Sequence, residues 1–167
     1  MMSFIVAAYN AEQCLTSTIS ALHRAGQALG KRYEVFVADD SSTDQTVAVQ
    51  HGAVVVTATH RQIAATRNSG AQVARYEYLV FVDADTVVNA QVVCTAAQAM
   101  RSGAVGGGAG ILFDEPTPMF APIALRVIVR VFRALGLATP ADFYSARTLH
   151  LTQSLALMKT TMPLKKL

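Results

Sequence analysis

Short β-rich runs alternate with helix-like segments along much of this chain, and this alternation is the strongest constraint on its fold. Residues that favour strands are concentrated at 4–8, 33–38, 53–58 and 78–82. The segments between them have helical spacing; in 11–26, for example, Leu15, Ile19 and Leu22 share one helical face. Further helices are predicted over 63–75 and from a cap at Asn89 to about residue 100. The pattern predicts an α/β fold, with a mostly parallel sheet flanked by crossover helices.

Length and composition limit the classes of protein that remain. A chain of 167 residues with 52% hydrophobic residues predicts one ordinary domain. Its longest apolar runs, such as 78–82, fall far short of the roughly 20 residues that span a bilayer, so no transmembrane helix is expected. The amino terminus lacks a basic leader, which favours a cytoplasmic location. Residues 1–140 carry equal numbers of basic and acidic side chains, so we expect no nucleic-acid partner.

Polar turns follow three of the predicted strands. Ligands of open parallel sheets bind beyond the carboxyl ends of the strands, which makes these turns the candidate site. Asp83 and Asp85 follow the fourth strand, where ionised carboxylates need a cation or hydrogen-bond donors. Two carboxylates separated by one small residue can reach one Mg²⁺ or Mn²⁺ ion that also binds a diphosphate. The alternative is a solvated turn that caps the next helix.

The other candidate residues each have a functional and a structural interpretation. Asp39 and Asp40 could accept hydrogen bonds from a nucleobase or ribose, or they could cap the helix that follows Asp44, and for Asp39 we favour the structural role. Tyr9 offers a flat ring for stacking on a base, or a buried aromatic anchor. Arg67 could pair with phosphate or with the aspartates, or it could be an ion-paired surface arginine.

Four motifs occur in a fixed order and spacing: FIVAAYNAE at 4–12, VADDSSTD at 37–44, ATRNSGA at 65–71 and FVDAD at 81–85. Together they resemble the amino-terminal, nucleotide-sugar-binding half of family 2 glycosyltransferases of the GT-A fold. The resemblance covers roughly residues 4–114.

The resemblance implies a GT-A fold and an inverting, metal-dependent transfer of a sugar from a UDP- or GDP-sugar donor to a hydroxyl acceptor. It implies that Tyr9 and Asp40 hold the base, that Asp83 lies on the ribose side, and that Asp85, with Asp83, binds a Mn²⁺ or Mg²⁺ ion that bridges the diphosphate. Further residues of the nucleotide site implied in this way are Ala8, Asn10, Glu12, Arg67 and Ala84. The glycine-rich segment 106–110 corresponds to a strand under the acceptor cleft.

Residues 118–137 have helical spacing, with Arg126, Arg130 and Arg133 along one stripe. We favour a helix that packs on the sheet with a solvated arginine face. The second interpretation is peripheral contact with an anionic membrane at its inner face, which would suit a lipid-linked acceptor.

The last segment differs from the family. We expect a nucleotide-sugar-binding domain over 1–139 with an incomplete acceptor side, and a non-family, irregular tail over 140–167. The general base is expected in an acidic motif that this frame lacks. Shifting the frame by one base from about residue 141 fixes Leu at the 143–144 junction, Glu at 158–159 and Ala at 162–163, whichever codons are used, and all three suit a family-like segment. We therefore hypothesise a frameshift near Pro140, which sequencing the gene would test.

Other functions are open at this point. A non-catalytic nucleotide-binding fragment is the main alternative, and apolar surface left uncovered by a missing half could cause self-association. A nucleotidyltransferase ranks well below, because it needs a glycine-rich, basic loop after the first strand, and residues 9–12 provide none.

Overall fold

The structure is a computed structural model that describes residues 1–46, 51–109 and 143–147 of the chain. Its elements are β1 (Met2–Ala8), α1 (Glu12–Ala28), β2 (Tyr33–Asp39), β3 (Val54–Thr57), α2 (Ile63–Val73), β4 (Tyr78–Asp83), α3 (Ala90–Arg101), β5 (Gly106–Gly108) and β6 (Phe143–Arg147). The alternation predicted from the sequence is therefore confirmed, and the four predicted strands and the helices predicted over 11–26, 63–75 and 89–100 are found within two residues of their expected ends.

The described strands form a single sheet in the order β3-β2-β1-β4-β6-β5. Strands β1 to β4 pair in parallel, whereas β6 runs antiparallel to both β4 and β5. Helix α1 connects β1 to β2 and α2 connects β3 to β4, and the helices cover the sheet on both faces. This is the mostly parallel, helix-flanked sheet that the sequence predicts.

Helices α1 and α3 cover one face of the sheet. The side chains of Phe4 and Val6 on β1 join Leu15 of α1 and Met100 of α3 in the larger core cluster, and all four are at most 1% exposed. Alternate residues of a strand point to opposite faces, so the even-numbered residues of β1 supply this layer. Leu15, Ile19 and Leu22 are buried, so the helical face that the spacing in 11–26 predicts is the one that packs on the sheet.

Helix α2 covers the opposite face and lies close to the sheet. Ile5 of β1 packs there with Leu79 and Phe81 of β4. A Cβ atom at Gly70 would lie 2.5 Å from Cγ2 of Ile5, so this glycine is what allows the helix to approach β1 so closely. The partly buried Ala71 and Ala74 pack against this cluster as well, so small residues line this side of α2.

Two local predictions near α3 are also confirmed. The side chain of Asn89 accepts a hydrogen bond from the N–H of Gln91 (2.8 Å), which makes it the predicted N-cap. The glycine-rich segment forms strand β5, whose residues are exposed.

Strand β6 lies inside the segment 140–167 that we expect to be irregular. For these five residues the structure shows a strand instead, in keeping with the high strand propensity of the Phe-Tyr pair that opens it. The rest of that segment, the helix predicted over 118–137 and most of the helix predicted after Asp44 lie outside the described residues. Among the helices within the described ranges, none combines the length and apolar character that crossing a membrane requires.

Candidate functional site

The predicted polar turns lie at one edge of the sheet. The β1–β2 register pairs Ala8 with Asp39, and the β1–β4 register pairs Ala7 with Asp83. Tyr9, Asp40 and the turn after Asp83 therefore leave the sheet at neighbouring points of its carboxyl edge. Ala8 itself is 2% exposed, and its carbonyl accepts the N–H of Asp40 at 2.9 Å.

Asp40 is closed to solvent and bonded through both carboxylate oxygens. Oδ1 accepts the backbone N–H of His60 at 2.6 Å, and Oδ2 accepts the hydroxyl of Thr66 at 3.0 Å. It thus joins the end of β2 to the first turn of α2. A base contact at Asp40 stays a prediction, and it would require access to a carboxylate that is 0% exposed here.

Asp39 closes the same turn locally. Its carboxylate accepts the N–H of Ser42 at 3.3 Å and the hydroxyl of Ser42, and the residue is 3% exposed. This is the structural role that the sequence analysis favours, although it forms an Asx-type turn rather than a helix cap.

Arg67 of α2 binds the carboxylate at the end of β4. Its Nη2 forms an ion pair with Oδ1 of Asp83, and the two side chains are 12% and 25% exposed. Of the partners that the sequence left open for Arg67, the structure shows the aspartate. The pair fixes the direction of the Asp83 carboxylate beside the turn that follows.

Asp85 differs from the other aspartates at this edge because it is exposed. The turn that carries it is held by the N–H of Thr86, which donates to the carbonyl of Asp83 at 3.1 Å. The carbonyl of half-buried Ala84 accepts the hydroxyl of Thr18 on α1 at 2.7 Å. Both contacts use backbone atoms of the turn, so the Asp85 carboxylate remains at the surface.

These residues fit a hard divalent cation that is shared with a phosphate ligand. No group of three or more acidic, His or Cys side chains gathers into a metal site in the ranges that the structure describes. Mg²⁺-like ions, however, are often held by one or two carboxylates, and waters and substrate phosphates complete the shell. The predicted ligands, exposed Asp85 and Asp83 two residues before it, have the chemistry for such a partial site, and a metal at this position stays a prediction.

The turn after β1 and the turn after β2 are joined by a reciprocal set of hydrogen bonds, which we call the loop clasp (residues 10–12 and 42–46). Helix α1 has no capping side chain of its own. Instead, Oγ1 of Thr46 accepts the N–H of Ala11 at 2.8 Å, and Oδ2 of Asp44 accepts the N–H of Glu12 at 3.2 Å. The second turn thus caps the first helix in place of a local residue.

The clasp also runs in the other direction. The carboxylate of Glu12 accepts the N–H of Gln45 at 2.8 Å, and the side-chain oxygen of Asn10 accepts the N–H of Thr43 at 2.8 Å. The N–H of Asn10 donates to the hydroxyl of Ser42 at 2.9 Å. Asn10 and Glu12, predicted at the nucleotide site, therefore hold the two turns together in this structure.

Asp44 has a lowered pKa within the clasp. Desolvation raises the pKa of this carboxyl, but hydrogen bonds from the hydroxyl and N–H of Thr46 and from the N–H of Glu12 outweigh it and hold the pKa below its usual value. The Asp44 carboxyl is therefore ionised at neutral pH, which is the form that accepts these hydrogen bonds.

Tyr9 is half-buried, and an arginine lies over its ring. The guanidinium carbon of Arg61, in the loop before α2, is 4.3 Å from the ring centroid, a cation–π contact. A guanidinium nitrogen of Arg61 also lies 3.5 Å from the carbonyl oxygen of Ser41. Sequence reasoning singled out Tyr9 but not Arg61, which adjoins no strand end and belongs to none of the quoted motifs.

Three hydroxyl residues were likewise missed: Thr18, Thr46 and Thr66. Each is at most 1% exposed and donates to or accepts from a loop of the site. Thr66 stands directly before Arg67 in a quoted motif, so that position was a usable signal. The buried position of Thr18 on the apolar face of α1 was another.

The chain belongs to glycosyl transferase family 2, since the model of that family matches residues 3–153. The match extends past residue 140, where we place the domain boundary, and that boundary stays a prediction. No curated protein matches the sequence.

Solved structures with the same fold are glycosyltransferases. TarS 1-349 from S. aureus in complex with UDP-GlcNAc superposes with a TM-score of 0.62 at 22% identity, over 92% of this chain and 47% of that one. Glucosyl-3-phosphoglycerate synthase from Mycobacterium tuberculosis, in complex with Mn²⁺, UDP-glucose and phosphoglyceric acid, gives 0.65 at 19% identity, over 91% and 58%. The chain thus has the GT-A fold and spans about half the length of these proteins.

Proposed function

We propose that this chain binds a nucleotide-sugar at the carboxyl edge of its sheet, with Mn²⁺ or Mg²⁺, and serves an inverting sugar transfer to a hydroxyl acceptor. The observation that carries the proposal is the exposed carboxylate of Asp85 beside the Arg67–Asp83 ion pair, at the same edge as Tyr9. Membership of family 2 supports it. So do the similar structures, which were solved in complex with UDP-GlcNAc or with Mn²⁺ and UDP-glucose.

Each residue has a distinct task in this proposal. The ring of Tyr9 stacks on the base, and the carboxylate of Asp83, directed by Arg67, accepts a hydrogen bond from a ribose hydroxyl. Asp85 supplies the open oxygen ligand for the cation. A divalent cation held there supplies positive charge that stabilises the departing nucleoside diphosphate.

The loop clasp prepares the site before the ligand arrives. By fixing the turn after β1 against the turn after β2, it holds Tyr9 at a set position relative to the aspartates. Binding then orders less of the protein, which leaves more of the contact free energy for affinity. Asn10 and Glu12 serve the nucleotide in this indirect way.

Transfer breaks the bond between the sugar carbon and the donor phosphate oxygen while the acceptor oxygen attacks from the opposite face. The proton of the acceptor hydroxyl passes to a general base, a role that we assign to no residue here. Non-catalytic nucleotide binding is therefore the second outcome that an experiment must separate. The cytoplasmic location, membrane contact and self-association expected from the sequence stay predictions.

Calorimetric titration of the full chain with UDP tests the donor site, in the presence of Mn²⁺ and in the presence of EDTA. We expect Mn²⁺ to strengthen UDP binding by about tenfold or more, and Asp85→Asn to abolish that gain. Glu77→Gln is the matched control, because Glu77 is an exposed acid just before β4 and Asp85 follows the same strand. Absence of UDP binding, or a Mn²⁺ effect unchanged in Asp85→Asn, would overturn the proposal.

A second measurement separates transfer from binding alone. Release of UDP from UDP-glucose, followed with Mn²⁺ in the wild type and in Asp85→Asn, reports chemistry at the donor. Metal-dependent release that the variant lacks supports an active transferase. UDP binding without any release supports the non-catalytic alternative.

A further inference from the structure

The contact between Arg61 and Tyr9 occupies the surface on which a base would stack. The guanidinium carbon lies 4.3 Å from the ring centroid, which is stacking distance. A planar base on this face of the ring needs the volume that the guanidinium fills. The base and Arg61 therefore cannot both contact this face of Tyr9.

The backbone around this contact is locally unusual. Within the described ranges, the non-glycine residues with positive φ are Asn10 (50°), Ser41 (59°) and Arg61 (51°). Asn10 directly follows Tyr9, and the carbonyl oxygen of Ser41 lies 3.5 Å from the Arg61 guanidinium. Left-handed conformations at non-glycine residues carry strain and concentrate at functional sites. All three occur here around one tyrosine ring.

We propose that the Arg61 side chain covers the face of the Tyr9 ring on which a base stacks, and that it moves away from the ring when a base binds. We call this side chain the cover. The inference rests on the proposed function, which supplies the base. The arginine is exposed, and its hydrogen bond to Ser41 is at the long limit, so little holds it in place beyond the cation–π contact.

Magnitudes favour displacement. An exposed cation–π contact favours the covered state by about two- to fivefold. Stacking of a base on an aromatic ring favours the bound state by about five- to 150-fold. A base therefore displaces Arg61, whereas a ligand without a base gains nothing from Tyr9 and leaves the cover in place. Arg61 thus acts as a specificity-determining residue for ligands that contain a base.

Uridine is the appropriate probe because it has a base and no phosphate, so the charge of Arg61 has no anion to attract. In an NMR titration, Arg61→Ala is expected to bind uridine about two- to fivefold more tightly than the wild type. Arg24→Ala is the matched control, since it removes an exposed arginine from α1, and its uridine affinity should equal that of the wild type. In a Tyr9→Leu background, Arg61→Ala should have no effect.

Parallel titration with UDP and Mn²⁺ separates two kinds of failure. A wild type that binds no UDP overturns the proposed function and the cover with it. If the wild type binds UDP but Arg61→Ala binds uridine no more tightly than the wild type, the cover alone is overturned. Weaker uridine binding in the variant would show that Arg61 contributes to base binding by stacking on the bound base. Circular dichroism of each variant establishes that it is folded.

Discussion

The two ends of the parallel sheet both carry carboxylates, but they use them differently. At the amino end, Glu34 of β2 accepts the hydroxyl of Ser3 at 2.6 Å, and the N–H and Nε of Arg75 at 2.7 and 3.0 Å. Its side chain is only 8% exposed. The pKa of Glu34 is lowered, because these hydrogen bonds and the charge of Arg75 outweigh the desolvation that raises it. Glu34 therefore belongs to a closed structural junction.

At the carboxyl end, four aspartates are also bonded within the protein, but a fifth is not enclosed. The bonded aspartates, which hold turns and helices in place, are Asp39, Asp40, Asp44 and Asp83, while Asp85 faces solvent. The acidic residues at this end therefore divide into a supporting set that is bonded within the protein and one residue, Asp85, that is exposed. The supporting carboxylates give rigidity, and the exposed one is free for chemistry.

Asp40→Ala should give the largest change in stability, with the free energy of unfolding falling by about 2–4 kcal/mol. The reason is that the N–H of His60 and the hydroxyl of Thr66 would each lose the buried carboxylate that accepts from it. Urea denaturation of the full chain measures the loss. Asp85→Ala is the matched control and should stay within about 0.5 kcal/mol of the wild type. Similar losses of unfolding free energy in the two variants would contradict the distinction between aspartates that support the fold and the exposed Asp85.

The ion pairs at the two ends should couple to different degrees. A double-mutant cycle with Arg67→Met and Asp83→Asn should give about 1–2 kcal/mol of coupling, because both side chains are largely buried. The corresponding cycle with Arg75→Met and Glu34→Gln should give about 0.2–1 kcal/mol, because Arg75 is 77% exposed and solvent screens the pair. Thermal or urea unfolding supplies the values. Stronger coupling at the amino end would contradict the comparison.

Loss of the clasp should have a smaller effect on stability. Asp44→Ala removes the acceptor for the N–H of Glu12 at the start of α1 and should cost about 1 kcal/mol of unfolding free energy. Gln13→Ala, an exposed change in the same turn of α1, should be close to neutral. If the two variants unfold at the same urea concentration, the second turn does not cap this helix.

The pH dependence of the unfolding free energy should reveal the lowered pKa of Glu34. This is the smallest of the four effects that we predict. A carboxyl whose folded pKa is below its unfolded value stabilises the fold above the unfolded pKa, near 4.5, and loses that contribution as pH falls through the folded pKa. Between about pH 5 and pH 3, the unfolding free energy of Glu34→Gln should therefore fall less steeply than that of the wild type. A steeper fall in the variant would mean that folding raises the pKa of Glu34 rather than lowering it.

The sequence predicted the fold well because its strongest signals are local. Runs such as 78–82 are apolar and bounded by polar turns, and helical spacing is clear in 11–26. The position of the polar turns at one end of the sheet followed from the rule that the carboxyl ends of parallel strands lie together. Strand β6 was not expected, because its pairing partners β4 and β5 lie far away in sequence and nothing local specifies them.

The sequence indicated which residues lie at this end of the sheet but not which contacts they make. The base contact of Asp40 stays a prediction, and nothing in its own turn shows that His60 and Thr66, twenty or more positions later, bind both of its oxygens. The contact of Arg61 with Tyr9 depends on a left-handed backbone at a non-glycine residue, which composition does not signal. Long-range contacts of this kind need coordinates.

The placement of β6 between β4 and β5 has a consequence for synthesis on the ribosome. Strands β1 to β4 can assemble as soon as the first part of the chain has emerged, because each finds its neighbour among residues already made. β5 is made of glycines alone, and the neighbour that the described sheet gives it is translated more than thirty residues later. In the described sheet, the side of β4 that faces away from β1 therefore has no partner strand until β6 has been synthesised.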